Sequence, residues 1–570
     1  MNDLMPYKKF LQSFVNNSNW FVFIFCSVLG GLFFIKVYGI YVLDFTYTDW
    51  LMNSGDLTQH YLGWELLRHS SWSFPLGLME GVVHPFKESV VYTDSIPLFA
   101  FFFKILSPIL PNNFQYFGLF GILVYTLQGG ISGLIIKKIT NSVTISIIGS
   151  LFFILSTVMA ERLFAHTALA AHFIILICIY ICIVKRKKQN GWGNILKNTL
   201  IWSSILTLAT LIHFYLTFMV LFFMVFYTIN DFYEQKKPVN ILIKIAVPIL
   251  TLWLVMFSIG MFHSGSSKKT SNAGYASANL NTFINPAVNA FINNEDLGSP
   301  FLPTIPYAIK WQYEGNAYLG FGMILCVIFV FITIFFKRKK FKAMFYDKRF
   351  LWETKITSLL ILSLSIFAIS PRVTLNGKVL FEYSIPGFMY VWGIFRSTGR
   401  MIWPVFYIIM FYAIWVIAKE YKQKTAIFAL LFFLLIQLYD LHNFFVTKGN
   451  IFSNHVEWET NLKSEFWNKL AKTQKHIVFL GELPEHNNLY ALTKYAIDNR
   501  MTVNDFYLAR KNTELISSYE RDEMKRIYNG QADKDTIYIF SEDTFNAVPF
   551  LKRLYVYKID DIIVGFKNKQ

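Results

Sequence analysis

The sequence predicts an α-helical polytopic membrane protein of about eleven transmembrane helices, followed by a small C-terminal α/β extracytoplasmic domain. Three observations carry this. Of 570 residues, 54% are hydrophobic, 18% aromatic and only 16% charged, against roughly 25% charged in soluble domains. The apolar residues fall in runs of about the length a bilayer demands. The Lys and Arg behind the formal net charge of +17 lie in short clusters between those runs.

The runs are 20–42, 114–136, 143–160, 167–184, 197–212, 213–230, 240–262, 317–336, 354–370, 401–418 and 425–440. Residues 20–42 exceed a signal-peptide core and predict a retained first helix. The 34 residues of 197–230 fit two short spans better than one bent span. Basic clusters follow alternate runs: Lys8 and Lys9 before the first, Lys137 and Lys138, Lys185–Lys188, Lys236 and Lys237, Lys337–Lys340, and Lys419, Lys422 and Lys424. With eleven spans every cluster falls on one side, which the positive-inside rule makes cytoplasmic. This distribution argues against nucleic-acid binding, for which a contiguous basic patch is needed.

The amino terminus is then cytoplasmic, and residues 1–440 form a membrane domain with external loops 43–113, 263–316 and 371–400. Residues 441–570 form the external soluble domain. There, 476–480 and 537–540 read as buried strands, 554–566 as a hairpin around Asp560 and Asp561, and 487–500 and 512–528 as helices. Cys26, Cys178, Cys182 and Cys326 all lie in apolar runs and read as packing residues, not as disulfides or a zinc site.

The first external loop concentrates ionisable groups: Asp44, Asp49, Asp56, His60, Glu65, His69, Glu80, His84, Glu88 and Asp94. Leu57, Tyr61, Trp64 and Leu67 form a helical stripe, predicting a helix along the membrane surface. Asp56 is placed to cap that helix, and His60 lies one turn on, on the same side. A second helix is expected over 95–106. Acids and histidines above a membrane bundle can supply a general base or hold a divalent ion such as Mg or Mn. Capping and interface packing are the plainer readings of the same residues.

A long first external loop, an early acid, surface helices, many spans and an external C-terminal domain together resemble the GT-C class of integral-membrane glycosyltransferases. The segments SGDLTQHYLGWELLRHSSWSFPLG and VVYTDSIPLFAFFFKILSPILPNNFQYFG are similar to a bacterial membrane family of unassigned function. The GT-C resemblance implies transfer of a sugar from a polyprenyl-phosphate donor to an external acceptor, with the first-loop acid at Asp56 (Asp44 and Asp49 as rivals). This chain carries a lone Asp56 where many such enzymes carry two acids, which leaves a metal open.

Other candidates lie at span ends on the same side. They are Glu161, Arg162, His166 and His172, then His213 and Tyr215, and Lys310, Glu314, Asn316 and Tyr318. Ionisable groups near membrane depth tend to face a cavity. Arg396 and Arg400, four apart, are placed to share a helix face and grip a lipid phosphate. The polar stretch 264–295 is expected to be a flexible loop.

The resulting expectation is a glycosyltransferase in a bacterial plasma membrane. Its donor is a polyprenyl-linked sugar and its acceptor a cell-surface glycan, lipid or protein. Asp56, His60 and Asp94 are the catalytic candidates. Arg396, Arg400, Arg162 and Lys310 are the phosphate ligands, and Glu161, His166, His213, Tyr215, Glu314 and Tyr318 line the cavity. The competing readings are a lipid-linked sugar flippase and a non-catalytic assembly protein. A flippase would carry internal repeats and charges deep within spans, and neither is evident.

Overall fold

The computed structural model describes residues 18–53, 55–184, 192–235, 238–263, 273–287, 289–290, 295–296, 298–344, 346–369, 371–547 and 553–567. The basic clusters at 8–9, 185–188 and 236–237 lie outside these residues, as does much of 264–295. Two compact units are formed. The first comprises residues 1–44, 116–252 and 269–454, the second residues 45–115, 253–268 and 455–570.

Among the described residues, nine helices are long and apolar enough to cross a membrane, ten if a pair bent by 86° (Phe321–Phe336 with Arg338–Met344) is one span. The chain is thus a polytopic, mostly helical membrane protein. The stretch at 197–230 is two helices, Trp192–Ile212 and Phe214–Gln235, separated at His213. The expected span 167–184 is shorter than its apolar run: a 3-10 turn, Thr167–Ala170, precedes a helix of 12 residues, Phe173–Val184. The run 143–160 is likewise interrupted, with Val143–Ile154 and Thr157–Arg162 meeting at Leu155 and Ser156. Hydropathy marks membrane affinity and says nothing about helix continuity, so both interruptions were invisible to it.

The second unit contains a five-stranded sheet ordered Tyr555–Ile559, Ile562–Phe566, Thr536–Phe540, His476–Leu480, Thr502–Val503. His476–Leu480 runs parallel to Thr536–Phe540 and Thr502–Val503, while Ile562–Phe566 is antiparallel to Thr536–Phe540. Alternate residues of one strand enter different cores: Ile477 and Phe479 in one, Val478 and Leu480 in the other. The helix His486–Asp498 covers the first face through Leu489 and Leu492, and Thr513–Tyr528 covers the second through Ile527. A sheet covered on both faces needs near-continuous apolar strands, the pattern these segments show. Asp560 and Asp561 have φ of +48° and +62°, the turn that a two-residue hairpin requires.

The same unit holds the helix Gly55–His69 and the hairpin Leu78–Val83/Phe86–Ser89. The expected apolar stripe is present and fully buried, but residues 57–68 are buried all round. The amphipathic surface helix is therefore corrected to an interior one. Its polar side packs on protein: Gln59 Nε2 donates to Tyr507 O at 2.7 Å, and Arg68 donates to Asn112 O and Pro111 O, both at 2.7 Å. The second expected helix forms as Pro97–Leu106.

Candidate functional site

In the second unit, the Gly55–His69 helix presents Asp56 and His60. Asp56 falls within the first turn, one step inside the expected cap, where the positive end of the helix dipole still favours a carboxylate. His60 is fully buried, with Nε2 3.9 Å from Asp94 Oδ2. That approach depends on Gly63: a Cβ there would lie 2.3 Å from Thr93 Oγ1 and 2.6 Å from Ser95 Oγ. The turn carrying Asp94 thereby presses against the helix, and Ser95 Oγ donates to His60 O at 2.6 Å. Asp94 and Ile96 both take left-handed φ, +53° and +51°. For a β-branched residue this is a costly conformation that cooperative packing must hold, and such strain concentrates at functional sites.

Reasoning from sequence missed an aromatic group beside Asp56. Burial, then the charge of Asp56, raises the Tyr490 hydroxyl above its ordinary range. His486 lies against Tyr490 and Tyr507, with ring centroids 5.8 and 5.2 Å away. Nothing in the spacing of residues 486–507 links them to residue 56. The link is made by folding.

In the first unit, Glu314 is the hub. Arg162 Nη1 donates to Glu314 Oε2 at 2.8 Å, and Arg400 Nε donates to the same oxygen at 2.9 Å, with Arg400 Nη2 in ion-pair contact with it at 2.9 Å. His166 Nε2 lies 3.7 Å from Oε1. Arg162 is fully buried, and Glu314 and Arg400 nearly so. Burial alone would raise the Glu314 carboxyl, but Arg400, Arg162 and His166 outweigh it and hold the group well below the usual carboxylate range. Arg400 also stacks over the Tyr215 ring at 4.6 Å and Arg162 over Trp403 at 5.5 Å. Tyr215 Oη accepts from the Ser397 N–H at 2.8 Å, which fixes the ring beneath the guanidinium. His213 caps the helix break, its Nδ1 accepting from the Tyr215 N–H at 3.1 Å.

Beside this hub, Asn316 Nδ2 donates to Glu161 Oε1 at 2.9 Å and to Ala287 O at 3.0 Å. Lys448, buried in the helix His442–Phe452, is pushed down to about 8 by burial against the opposing pull of Glu161. It was not foreseen, although a single lysine amid Phe residues was the available signal.

Two expected phosphate ligands, Arg396 and Lys310, and one expected cavity residue, Tyr318, lie elsewhere. Arg396 and Arg400 do not share a helix face. The helix Pro386–Ile394 ends first, and Arg400 sits in a separate 3-10 turn, Thr398–Ile402, so spacing of four loses its helical meaning. Arg396 is exposed. Lys310 is exposed and lies over the Trp311 ring, at 5.6 Å. Tyr318 donates to Asp440 Oδ2 at 2.8 Å, in a separate polar group with the Phe321 N–H.

Fold and site together define a polytopic membrane protein with a buried two-arginine clamp on an anion. Residues 27–442 match the family described as Domain of unknown function (DUF6311), and residues 466–567 match the DUF6311 C-terminal domain. The chain belongs to the DUF6311 family, in line with the resemblance of its loop segments to a membrane family of unassigned function. No curated protein matches it. Among solved structures it is similar to ArnT from Cupriavidus metallidurans in the apo state, with TM-score 0.41, 10% identity, and 96% and 98% of the two chains covered. ArnT bound to undecaprenyl phosphate gives TM-score 0.40, 10% identity and coverage of 96% and 97%. The archaeal oligosaccharyltransferase AglB from Archaeoglobus fulgidus, in complex with an inhibitory peptide and a dolichol-phosphate, gives 0.43, 9% identity and coverage of 96% and 74%. Similarity at this level leaves the chemistry to be argued from this chain's own residues.

Proposed function

We propose that the protein is a membrane glycosyltransferase of GT-C type, moving a sugar from a polyprenyl-phosphate donor to an acceptor on the outer side of a bacterial plasma membrane. One observation carries the reading: Arg162 and Arg400 converge on a single buried carboxylate oxygen. Such a fork suits a phosphate as well as it suits a carboxylate, and the family's spans supply the setting for a lipid tail. Arg162 and Arg400 are assigned to the donor phosphate, where charge develops as the glycosyl bond breaks. Asp56, or Asp94 with His60, is assigned to accept the proton of the acceptor hydroxyl. A divalent ion held by carboxylate and imidazole remains compatible with these residue types. The acceptor is a cell-surface glycan, lipid or protein, and the 441–570 segment is assigned to the external side.

The test is sugar transfer in membranes containing full-length protein, comparing wild type with Asp56→Asn and Asp94→Asn. Loss of about 100-fold or more in one of the two, with folding retained, is the expected result. Full transfer by both variants would remove the carboxylates from the mechanism. Movement of an unaltered lipid-linked sugar across vesicles would favour a flippase instead.

A further inference from the structure

The two sides of the arginine clamp are built differently. Arg162 closes the helix Thr157–Arg162, and Arg400 lies in a turn that runs directly into the helix Trp403–Glu420. Glu314 lies in a four-residue 3-10 turn, Gln312–Gly315, entered through Trp311 at φ +70°. A bulky residue in that region is strained, so the turn holds a conformation that a rearrangement would relax. Where the Glu314 turn meets the Arg400 turn, glycine faces glycine: a Cβ on Gly399 would lie 2.5 Å from Gly315 Cα. Backbone packs on backbone there: a Cβ on Gly315 would lie 2.6 Å from Ala278 Cα, and the Gly399 N–H donates to Ala276 O at 2.9 Å.

The anion is also of a telling kind. Glu314 sets one oxygen between both guanidinium groups and its other oxygen 3.7 Å from His166. A phosphoryl group can likewise set one oxygen between two guanidinium groups and turn another toward an imidazole. We propose that Glu314 is a stand-in anion that keeps the Arg162–Arg400 clamp neutralised and closed until a lipid-borne phosphate displaces it, with the 311–315 turn moving aside. The proposal rests on the reading of Arg162 and Arg400 as the donor-phosphate clamp and adds a competitor to it.

The competitor reverses the sign of the mutational effect. Removing a residue that helps to bind phosphate weakens binding, whereas removing one that occupies the phosphate's place strengthens it. Without the Glu314 charge, two buried guanidinium groups lose a counter-ion, a costly state that an incoming phosphate relieves.

The experiment measures binding of a polyprenyl monophosphate to the full-length protein in nanodiscs, with the uncharged polyprenol and inorganic phosphate as comparison probes. Glu314→Gln is expected to bind the lipid phosphate about tenfold more tightly than wild type, with polyprenol unchanged. Tightening with inorganic phosphate as well would show that the headgroup alone displaces Glu314. Tightening only with the lipid phosphate would show that the tail is needed to concentrate it. Unchanged or weaker binding by folded Glu314→Gln overturns the proposal. If that variant does not fold, Glu314→Asp, whose carboxylate is withdrawn by one methylene, decides in the same way: tighter supports, equal or weaker overturns. Tightening without sugar transfer in any variant would leave the stand-in anion standing while glycosyl transfer falls. Transfer by wild type with no tightening would do the reverse.

Discussion

Replacing Arg400 by lysine isolates what the guanidinium fork contributes beyond its charge. Arg400 donates from Nε to one Glu314 oxygen at 2.9 Å and holds Nη2 in ion-pair contact with that oxygen at 2.9 Å, while its face lies 4.6 Å from the Tyr215 ring. Lysine keeps the positive charge but brings a compact ammonium that cannot span both contacts from the same position. Losing one hydrogen bond to a charged group costs about 1.5–3 kcal/mol. Giving up the flat stacking on Tyr215 adds about 0.5–1 kcal/mol. The sum, about 2–4 kcal/mol, is to be divided between lowered stability and a 10- to several-hundred-fold loss of lipid-phosphate affinity. Thermal unfolding in detergent reads the first part, and binding of polyprenyl monophosphate reads the second. Arg396→Ala serves as the matched control, because Arg396 is exposed and outside the clamp. It should stay within about 0.5 kcal/mol of wild type. Wild-type stability and affinity in Arg400→Lys would refute the idea that fork geometry matters, and an Arg396→Ala defect as large as that of Arg400→Lys would refute the placement of the clamp.

Three further outcomes follow from particular residues. Gly63→Ala should destabilise the protein by about 1–3 kcal/mol, because its Cβ meets Thr93 and Ser95 at 2.3 to 2.6 Å. Calorimetry gives the loss, and an unchanged midpoint would show that the Asp94 turn yields freely. His60→Gln should reduce transfer more than it reduces stability if the His60–Asp94 pair tunes the base, a separation read from turnover beside the unfolding midpoint. Lys448 binds its proton more weakly in the fold, at about 8, than an unfolded lysine does. Its burial penalty is thus present below pH 8 and relieved as pH rises from there toward about 10.4, a gain on the order of 3 kcal/mol. Lys448→Met should flatten that rise in a pH series of unfolding midpoints.

The sheet was legible because its signals are local. The run His476–Leu480 and the Asp560–Asp561 turn announce themselves within five or six residues. The hub at Glu314 was legible only as a set of names, since Arg162, Glu314 and Arg400 come from three segments separated by 152 and 86 residues. Depth near a span end nominated each of them but could not say which would meet. Arg396 was drawn in by a spacing rule that holds only inside a continuous helix, and the helix ends at residue 394, before the 3-10 turn begins at 398. The polar side of Gly55–His69 was misjudged for a related reason. Gln59 and Arg68 look solvent-directed until their backbone partners, Tyr507 and Asn112, are folded onto them.

The second unit is sewn from pieces made at widely separated times. Gln59 is held by Tyr507, His84 donates its N–H to Val503 O, and Ala509 donates its N–H to Tyr92 O. More than 400 residues separate each of these pairs in the chain. At a synthesis rate of about 5–20 residues per second, the first loop waits roughly 20–80 seconds for its partners. During that interval Gln59, on the polar side of the Gly55–His69 helix, lacks the Tyr507 carbonyl that accepts its hydrogen bond. Biogenesis therefore contains a vulnerable interval, set by the order of the gene, in which a chaperone or protease can reach a segment that the finished protein hides.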